Sequence, residues 1–380
     1  MHMTIEDMVV KSRELGGSDI HLASGVPPKF RRDGLLENLD ETPLNYGDCE
    51  EYAKELAKSR YNDIEEIGEL DLAKTIAGSR VRINLFRQQG AVSASLRILS
   101  DHIPEIGDLG LPPLVQQFPK WQKGIILVTG ETGSGKSTTL AAILNEINHT
   151  RREHIITLED PIEYIYTPDL CLINQREVGK DTRCYADGLR AILREDPDII
   201  LIGEMRDSET IETALTAAET GHLVFATLHT NSAVDSVDRI VGTFPAERHT
   251  QIRMQLSTTL KAVLAQQLLR KKGGRGRCAA CEAMFVTPAI RNLIREGKTP
   301  QMQSSLLSSA KQGSITMDNC LLQMVRDGLI DAETAVDAAA DEDYVRQNTG
   351  MAGLGGMSAR PQGGMNNSAN RPQGGFLGRR

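Results

Sequence analysis

Residues 130–137 read Gly-Glu-Thr-Gly-Ser-Gly-Lys-Ser and fit the phosphate-loop pattern G-x-x-x-x-G-K-[ST]. Glycines let such a loop turn tightly, so that its backbone N–H groups can point at phosphate oxygens. In this pattern Lys136 reaches the β- and γ-phosphates and Ser137 holds Mg²⁺. The sequence therefore predicts a site for ATP and Mg²⁺. The predicted contacts are Gly130, Thr132, Gly133, Ser134, Gly135, Lys136, Ser137 and Thr138.

The segments on either side of this loop have the composition that a phosphate loop requires. Residues 125–129 are apolar and rich in β-branched side chains, which is typical of a buried parallel strand. Residues 137–147 contain helix formers with apolar side chains at helical spacing. The predicted order is therefore strand, loop and helix, and the helix N-terminus adds partial positive charge at the phosphates.

Two carboxylates follow other predicted strands of the same domain. Residues 199–204 form an apolar strand that ends in Glu204, the Walker B layout with glutamate in place of the usual aspartate. We predict that Glu204 holds Mg²⁺, directly or through water, and helps to orient the attacking water. Residues 157–163 place three acids after another strand, and Glu163 is the candidate general base. The alternative for that segment is a helix-capping acidic turn.

Histidines and arginines could complete the site. Residues 221–231 form a strand with a histidine at each end, and we predict that His229 senses the γ-phosphate and that His222 also contributes to nucleotide binding. Positive charge for the transition state is expected from arginines. The candidates are Arg82, Arg87 and Arg97 in the first domain and Arg190, Arg194 and Arg206 in the second, and we assign Arg82 and Arg97 to nucleotide binding. The alternatives are structural histidines and arginines on a solvated strand face.

The chain of 380 residues is long enough for two or three domains. Its first part mixes helices with alternating strands and turn signals, which predicts a small α+β domain. Further on, apolar strands alternate with helices, the pattern of a mostly parallel sheet in an α/β protein. The predicted boundaries are 1–98 for the first domain, 99–119 for a linker, 120–274 for the second domain, 275–345 for a C-terminal helical region and 346–380 for a Gly-, Pro- and Arg-rich tail.

Some finer predictions concern local structure. We predict helix over residues 250–270 and a hairpin turn at Asp33 and Gly34. The tail repeats Arg-Pro-Gln-Gly-Gly and cannot bury a core, so we expect it to be disordered, either as an inert extension or as a basic tether.

Composition limits the classes of function. The net charge of −8 gives no overall basic footprint, which argues against a nucleic-acid partner. No apolar run approaches the roughly 18 residues of a membrane span, and the N-terminus lacks the apolar core of a signal peptide. These features predict a cytoplasmic protein and leave docking on a membrane open.

Several segments resemble the motifs of one family. The acidic box, the Walker B strand and the histidine box of secretion and type IV pilus ATPases resemble residues 157–164, 196–207 and 221–231. Residues 287–298 (TPAIRNLIREGK) are similar to the signature of the PilT retraction ATPases. The family's first-domain pattern is matched by residues 17–22 and by Arg82-x-Asn84-x-Phe86, so that the resemblance covers about residues 4–340.

The resemblance implies a PAS-like N-terminal domain and a RecA-like ATPase domain, assembled as a homo-hexamer with nucleotide between the domains. It implies a motor that couples ATP hydrolysis to pilus retraction and twitching motility. Its partners would be an inner-membrane platform protein similar to PilC and other pilus ATPases, at the inner face of the cytoplasmic membrane. Residues 289–296 would couple the ATPase motion to retraction.

The chain departs from the family pattern at two positions. Glu131 stands where the loop usually has proline, and Cys281 replaces a usual histidine. The alternatives within the superfamily are an accessory PilU-like ATPase and a pilus-assembly or type II secretion ATPase. Assembly and secretion ATPases usually carry an extra N-terminal domain and a four-cysteine metal site. Neither feature is recognised in this sequence, which favours retraction. A non-motor nucleotide-dependent scaffold or switch is the alternative from a different class.

Overall fold

The computed structural model of the chain describes residues 2–32, 35–99, 102–274 and 276–350. The N-terminal part is built around a six-stranded antiparallel sheet with the order β3-β2-β1-β6-β5-β4. On β5 the side chains of Val81, Ile83 and Leu85 are fully buried and alternate with half-exposed polar ones, so that one face of the strand lies on the core. The elements of this part are α1 (Ile5–Glu14), β1 (Asp19–Leu22), β2 (Lys29–Arg32), β3 (Leu35–Asn38), α2 (Tyr46–Ala57), α3 (Tyr61–Ile67), β4 (Glu69–Ile76), β5 (Ser79–Gln88) and β6 (Ala91–Ile98).

The second sheet has seven strands in the order β13-β12-β7-β11-β10-β8-β9, of which only β13 is antiparallel to its neighbour. Because the other strands are parallel, their carboxyl ends share one edge of the sheet, with neighbouring strands about 4.8 Å apart. Its elements are β7 (Gly124–Thr129), α4 (Lys136–Thr150), β8 (His154–Glu159), β9 (Leu172–Glu177), α5 (Tyr185–Ile192), β10 (Ile199–Ile202), α6 (Ser208–Glu219), β11 (Leu223–Leu228), α7 (Ala233–Gly242), α8 (His249–Thr259), β12 (Leu260–Arg270) and β13 (Arg277–Phe285). The predicted α/β class is confirmed.

The prediction of helix over residues 250–270 is wrong for its second half. Helix α8 ends at Thr259, and residues 260–270 form β12, which is parallel to β7 and antiparallel to β13. The sequence of β12 is rich in alanine and leucine, which are good helix formers, but most of its side chains are buried in the sheet. A short buried run has no amphipathic period, so its pattern cannot separate a strand from a helix.

Helices follow the second sheet: α9 (Pro288–Glu296), α10 (Met302–Ser308), α11 (Met317–Arg326), α12 (Ala332–Asp337) and α13 (Glu342–Asn348). The predicted disordered tail starts at residue 346, but residues 346–348 still belong to α13, which Asp341 caps. The rest of that tail from residue 351, and the predicted turn at Asp33 and Gly34, lie outside the described residues. Within the described ranges, no helix combines the length and the apolar character needed to cross a membrane.

Candidate nucleotide site

The phosphate loop connects β7 to α4 with a backbone that requires glycine. Gly130, Gly133 and Gly135 have φ values of 138°, 83° and 92°. A Cβ atom on Gly130 would lie 2.2 Å from the carbonyl oxygen of Gln266, so this turn is packed tightly against β12. Helix α4 starts directly after Gly135 with no side-chain cap on its first N–H groups. A close-packed glycine turn and an uncapped helix start fit the phosphates of a nucleotide.

Lys136 is the first residue of α4, at the end of this loop. Its Nζ donates hydrogen bonds to the carbonyl oxygens of Gly130 (2.7 Å) and Glu131 (2.9 Å). Burial lowers the pKa of Lys136, and the charges of Glu204 and Glu163 oppose that effect. The structure therefore brings the loop lysine and the two predicted carboxylates into one electrostatic environment.

Glu204 follows β10 at the shared edge of the sheet. One carboxylate oxygen lies 2.6 Å from the guanidinium of Arg206, and the other lies 3.0 Å from Nε2 of His229. Burial alone would raise the pKa of Glu204, but the hydrogen bonds and charges of Arg206 and His229 outweigh it and hold that pKa below its ordinary value. Because β10 and β11 are neighbours, Glu204 and His229 are in direct contact. A ligand that binds the carboxylate of Glu204 would therefore change the contact with His229.

Gly203 gives the backbone before Glu204 its close packing. A Cβ atom at this position would lie 2.9 Å from Oη of Tyr185, 3.1 Å from the carbonyl oxygen of Leu158 and 3.2 Å from Cα of Glu159. Two of these three neighbours are backbone atoms, which cannot move aside as a flexible side chain can. Any side chain at Gly203 must therefore displace the strand end that carries Glu204.

We expect Gly203→Ala to lower the free energy of unfolding by about 1–3 kcal/mol through overpacking. The displacement falls on Glu204, so kcat for ATP hydrolysis should also decrease about tenfold. Urea denaturation and steady-state turnover measure the two effects. Gly242→Ala is the matched control, since a Cβ atom there meets nothing within 4 Å. Equal behaviour of the two variants would contradict the packing argument.

Glu163 follows β8 and lies next to Tyr164, whose hydroxyl is 2.9 Å from Oγ1 of Thr138 on α4. Thr138 was predicted to contact nucleotide, and the structure places its hydroxyl against Tyr164. The acidic segment is thus joined to the first turn of the helix that follows the phosphate loop. Glu163 is partly exposed at the same sheet edge as Glu204, which suits a group that must meet a substrate.

Two further groups beside the site were not singled out from the sequence. Gln266 on β12 accepts from the hydroxyl of Thr139 (2.9 Å) and donates to the carbonyl oxygen of Ser134 (2.8 Å), so it pins the loop to the start of α4. Sequence reasoning could not find it because β12 was assigned as helix. Glu159, at the end of β8, accepts from the hydroxyl of Thr157, and burial raises its pKa to about 7.

The raised pKa of Glu159 makes folding stability pH-dependent. Because its folded-state pKa of about 7 exceeds the ordinary 4.5, the folded chain binds this proton more tightly than the unfolded chain does. The contribution of Glu159 to stability should therefore decrease between about pH 4.5 and 7, by up to about 3 kcal/mol. Urea denaturation at pH 5 and pH 8 should show a smaller decrease for Glu159→Gln than for the wild type. Replacing the exposed Glu146 by glutamine should leave the wild-type difference intact, and a Glu159→Gln variant that also kept it would contradict the assignment.

His222 lies far from the loop of its own chain. It precedes β11, and its carbonyl oxygen accepts from the N–H of Gly124 at the start of β7, whereas the phosphate loop follows the other end of that strand. Its Nδ1 lies 2.8 Å from the carbonyl oxygen of Ala217. Within one chain, the whole length of β11 separates His222 from His229, so a role of His222 in nucleotide binding stays a prediction.

Arg82 and Arg97 are direct cross-strand neighbours on β5 and β6. Arg97 also forms an ion pair with Asp19 (2.9 Å), although 62% of its side chain is exposed. Arg80, on the same face of β5 as Arg82, contacts Glu177 at the end of β9. That face therefore meets the edge of the second sheet where the acidic segment lies, and the roles of Arg82 and Arg97 at the phosphates stay predictions.

Comparisons with known proteins agree with this geometry. The sequence profile of the family described as "Type II/IV secretion system protein" matches residues 73–354. The type IV pilus retraction ATPase PilT of Pseudomonas aeruginosa is 45% identical over 89% of this chain and 98% of its own length. The type IV pilus ATPase PilU of the same organism is 38% identical over 90% and 91%. The crystal structure of the pilus retraction motor PilT with bound ADP superposes with a TM-score of 0.84 at 46% identity, over 91% of this chain and all of that one.

A phosphate loop beside a parallel sheet, with a carboxylate at the end of a neighbouring strand, defines a nucleotide-binding ATPase, and the chain belongs to the type II/IV secretion system protein family. Within that family it belongs to the PilT pilus retraction ATPases, which it matches over almost their whole length.

Proposed function

We propose that this chain is the subunit of a homo-hexameric motor that hydrolyses ATP to retract type IV pili, the motion behind twitching motility. The observation that supports this most is the convergence of Lys136, Glu204 and Glu163 at one sheet edge, in a chain that matches PilT over almost its full length. PilU is matched at lower identity, so retraction by a PilT-type motor is favoured over an accessory role.

Each group has a role that follows from its position. The glycine loop and the N–H groups of α4 bind the phosphates, and Lys136 is held where it can reach them. Glu163 is the general base for the attacking water, and Glu204 orients the site together with His229. Arg82 and Arg97 close the site from the N-terminal sheet and balance negative charge.

A divalent cation suits the oxygen donors at this edge. Ser137 in the first turn of α4 and the ionised carboxylate of Glu204 would hold Mg²⁺, which prefers hard oxygen ligands. When bound with ATP, Mg²⁺ neutralises charge on the phosphate oxygens. The low pKa of Glu204 keeps its carboxylate charged and available for that role.

The proposed partners lie at the membrane. Helix α9 buries Ile290 and Ile294 and leaves most of its polar side chains at the surface, where they can couple the ring to a PilC-like inner-membrane platform protein or to other pilus ATPases. The proposed location is the cytoplasm, at the inner face of the cytoplasmic membrane. A net charge of −8 gives no support for nucleic acid as the track.

Labelled pili in a cell that lacks its own retraction ATPase test this proposal. The wild-type chain should restore pilus shortening, and a Lys136→Ala variant expressed at the same level should not. Rescue only when a second retraction ATPase is present would indicate the accessory role. Pili that stay extended although the chain hydrolyses ATP as a ring would overturn the retraction assignment.

A further inference from the structure

A buried ion pair joins the N-terminal sheet to the ATPase sheet. The guanidinium of Arg80 on β5 lies 2.6 Å from the carboxylate of Glu177 at the end of β9. Only 11% of the Arg80 side chain and 8% of the Glu177 side chain are exposed. A desolvated, charge-assisted contact of this kind fixes geometry far better than a surface ion pair does.

The same pair holds the acidic segment by its backbone. Nε of Arg80 donates to the carbonyl oxygen of Ile162 (2.9 Å), and the carboxylate of Glu177 accepts from the N–H of Ile162 (3.3 Å). Both polar groups of one peptide residue are therefore bound by the two partners of the ion pair. Ile162 immediately precedes Glu163, so this clamp sets the backbone from which the proposed general base projects.

The other side of Glu163 is held by the nucleotide helix. The hydroxyl of Tyr164 is hydrogen-bonded to Thr138 of α4, and the carbonyl oxygen of Tyr164 accepts from Nε2 of Gln175 on β9 (2.8 Å). Glu163 thus lies between Ile162, which is bound by Arg80, and Tyr164, which is bound to Thr138 in the first turn of α4. The backbone on both sides of Glu163 is therefore bound, by the N-terminal sheet on one side and by the nucleotide helix on the other.

We propose that Arg80 is a positioning residue for hydrolysis: through Ile162 and Glu177 it fixes Glu163, so that docking of the N-terminal sheet permits ATP turnover. This inference rests on the proposed ATPase function and adds a specific contact through which the position of one domain controls the base in the other. Arg80 itself acts through the segment and needs no contact with the phosphates. A misplacement of the base by about 1 Å is enough to cost about a hundredfold in rate.

The test compares kcat and KM for ATP in the full chain and its variants. Arg80→Ala and Glu177→Gln should each lower kcat about 10- to 100-fold, while KM for ATP and the affinity for fluorescent ADP change by less than about threefold. Arg80→Lys keeps the charge but loses the second donor, so part of the activity should return. The matched controls are Arg32→Ala and Glu37→Gln, because Arg32 and Glu37 also form a 2.6 Å ion pair on the N-terminal sheet but are 40% and 38% exposed.

Non-additivity separates positioning from a general loss of structure. If Arg80 acts through Glu163, then Arg80→Ala should cost little or nothing in a Glu163→Gln background. A full additional loss in that background, or a loss confined to nucleotide affinity, would overturn the inference. So would an unchanged kcat in both Arg80→Ala and Glu177→Gln. Light scattering on every variant identifies any that does not assemble as the wild type does. The comparison of kcat then uses whichever of Arg80→Ala and Glu177→Gln assembles normally.

Failure of the inference and failure of the proposed function give different results. A wild-type chain with no more turnover than Lys136→Ala would remove the ATPase function itself. A wild-type chain that hydrolyses ATP, with Arg80→Ala equal to it and to Arg32→Ala, would remove only the role of Arg80.

Discussion

A Lys136→Ala variant should lose detectable ATP hydrolysis, a decrease in kcat/KM of at least about a thousandfold. Lys136 is the one cation that the loop itself supplies, and its Nζ is already held beside the turn by the carbonyl oxygens of Gly130 and Glu131. Without this charge, the phosphates lose an electrostatic partner both in binding and in the transition state. Nucleotide affinity and turnover should therefore decrease together.

The measurement pairs steady-state phosphate release with titration of fluorescent ADP. Lys54→Ala is a suitable control, since Lys54 forms an exposed ion pair with Glu50 on α2. Circular dichroism and thermal unfolding check that the loop has not collapsed, because Lys136 also binds two loop carbonyls. A variant that keeps wild-type affinity and at least a tenth of the turnover would contradict the assignment of the loop as the nucleotide site.

Sequence reasoning reached the parts of this site that are continuous in the chain. The glycines, Lys136 and Ser137 lie in eight consecutive residues, and strand ends mark Glu204 and His229. Parallel strands place their carboxyl ends at one edge, so the meeting of Glu204 and His229 follows once the strands are assigned. The structure adds what the order of strands alone does not contain, namely that His229 and Arg206 bind the two oxygens of one carboxylate.

The sequence failed where one segment supports two structures or where contacts cross between domains. Residues 262–266 of β12 are buried on both faces, so neither helical nor strand periodicity is visible there, and Gln266 was lost with that strand. Its amide reaches Ser134 across 132 residues of sequence. Arg80 and Glu177 are 97 residues apart, and no local pattern links an arginine on an antiparallel strand to an acid at a parallel sheet edge.

The two histidines that flank β11 show what strand direction adds to the sequence. Two histidines at the ends of one strand look equivalent in sequence, yet a six-residue strand spans about 20 Å, so only one end can lie at the phosphate loop of the same chain. The parallel register of β11 with β7 selects His229. The direction of a strand in the sheet thus decides which of its two ends lies at the site.

Replacing Glu204 by glutamine should lower kcat about 100- to 1000-fold while the affinity for ATP changes by less than about threefold. Glutamine keeps the shape of the side chain, but its single oxygen can accept a hydrogen bond from only one of Arg206 and His229 in this geometry, and it carries no negative charge. The loss therefore falls on the chemical step, where charge and an ordered water matter most. Single-turnover hydrolysis and ATP titration separate the two quantities. Glu212→Gln is the control, because Glu212 on α6 forms an ion pair of similar length with Arg248 (2.7 Å).

This variant also separates a motor from a nucleotide-dependent switch. A switch needs ATP to bind but not to be hydrolysed, so Glu204→Gln would still recruit its partners and support its output. A motor needs repeated hydrolysis, because every cycle of movement consumes ATP. We therefore expect Glu204→Gln to bind ATP, to remain assembled and to fail in pilus retraction. Retraction at the wild-type rate with this variant would favour the switch. It would also contradict the proposed role of Glu204 in hydrolysis.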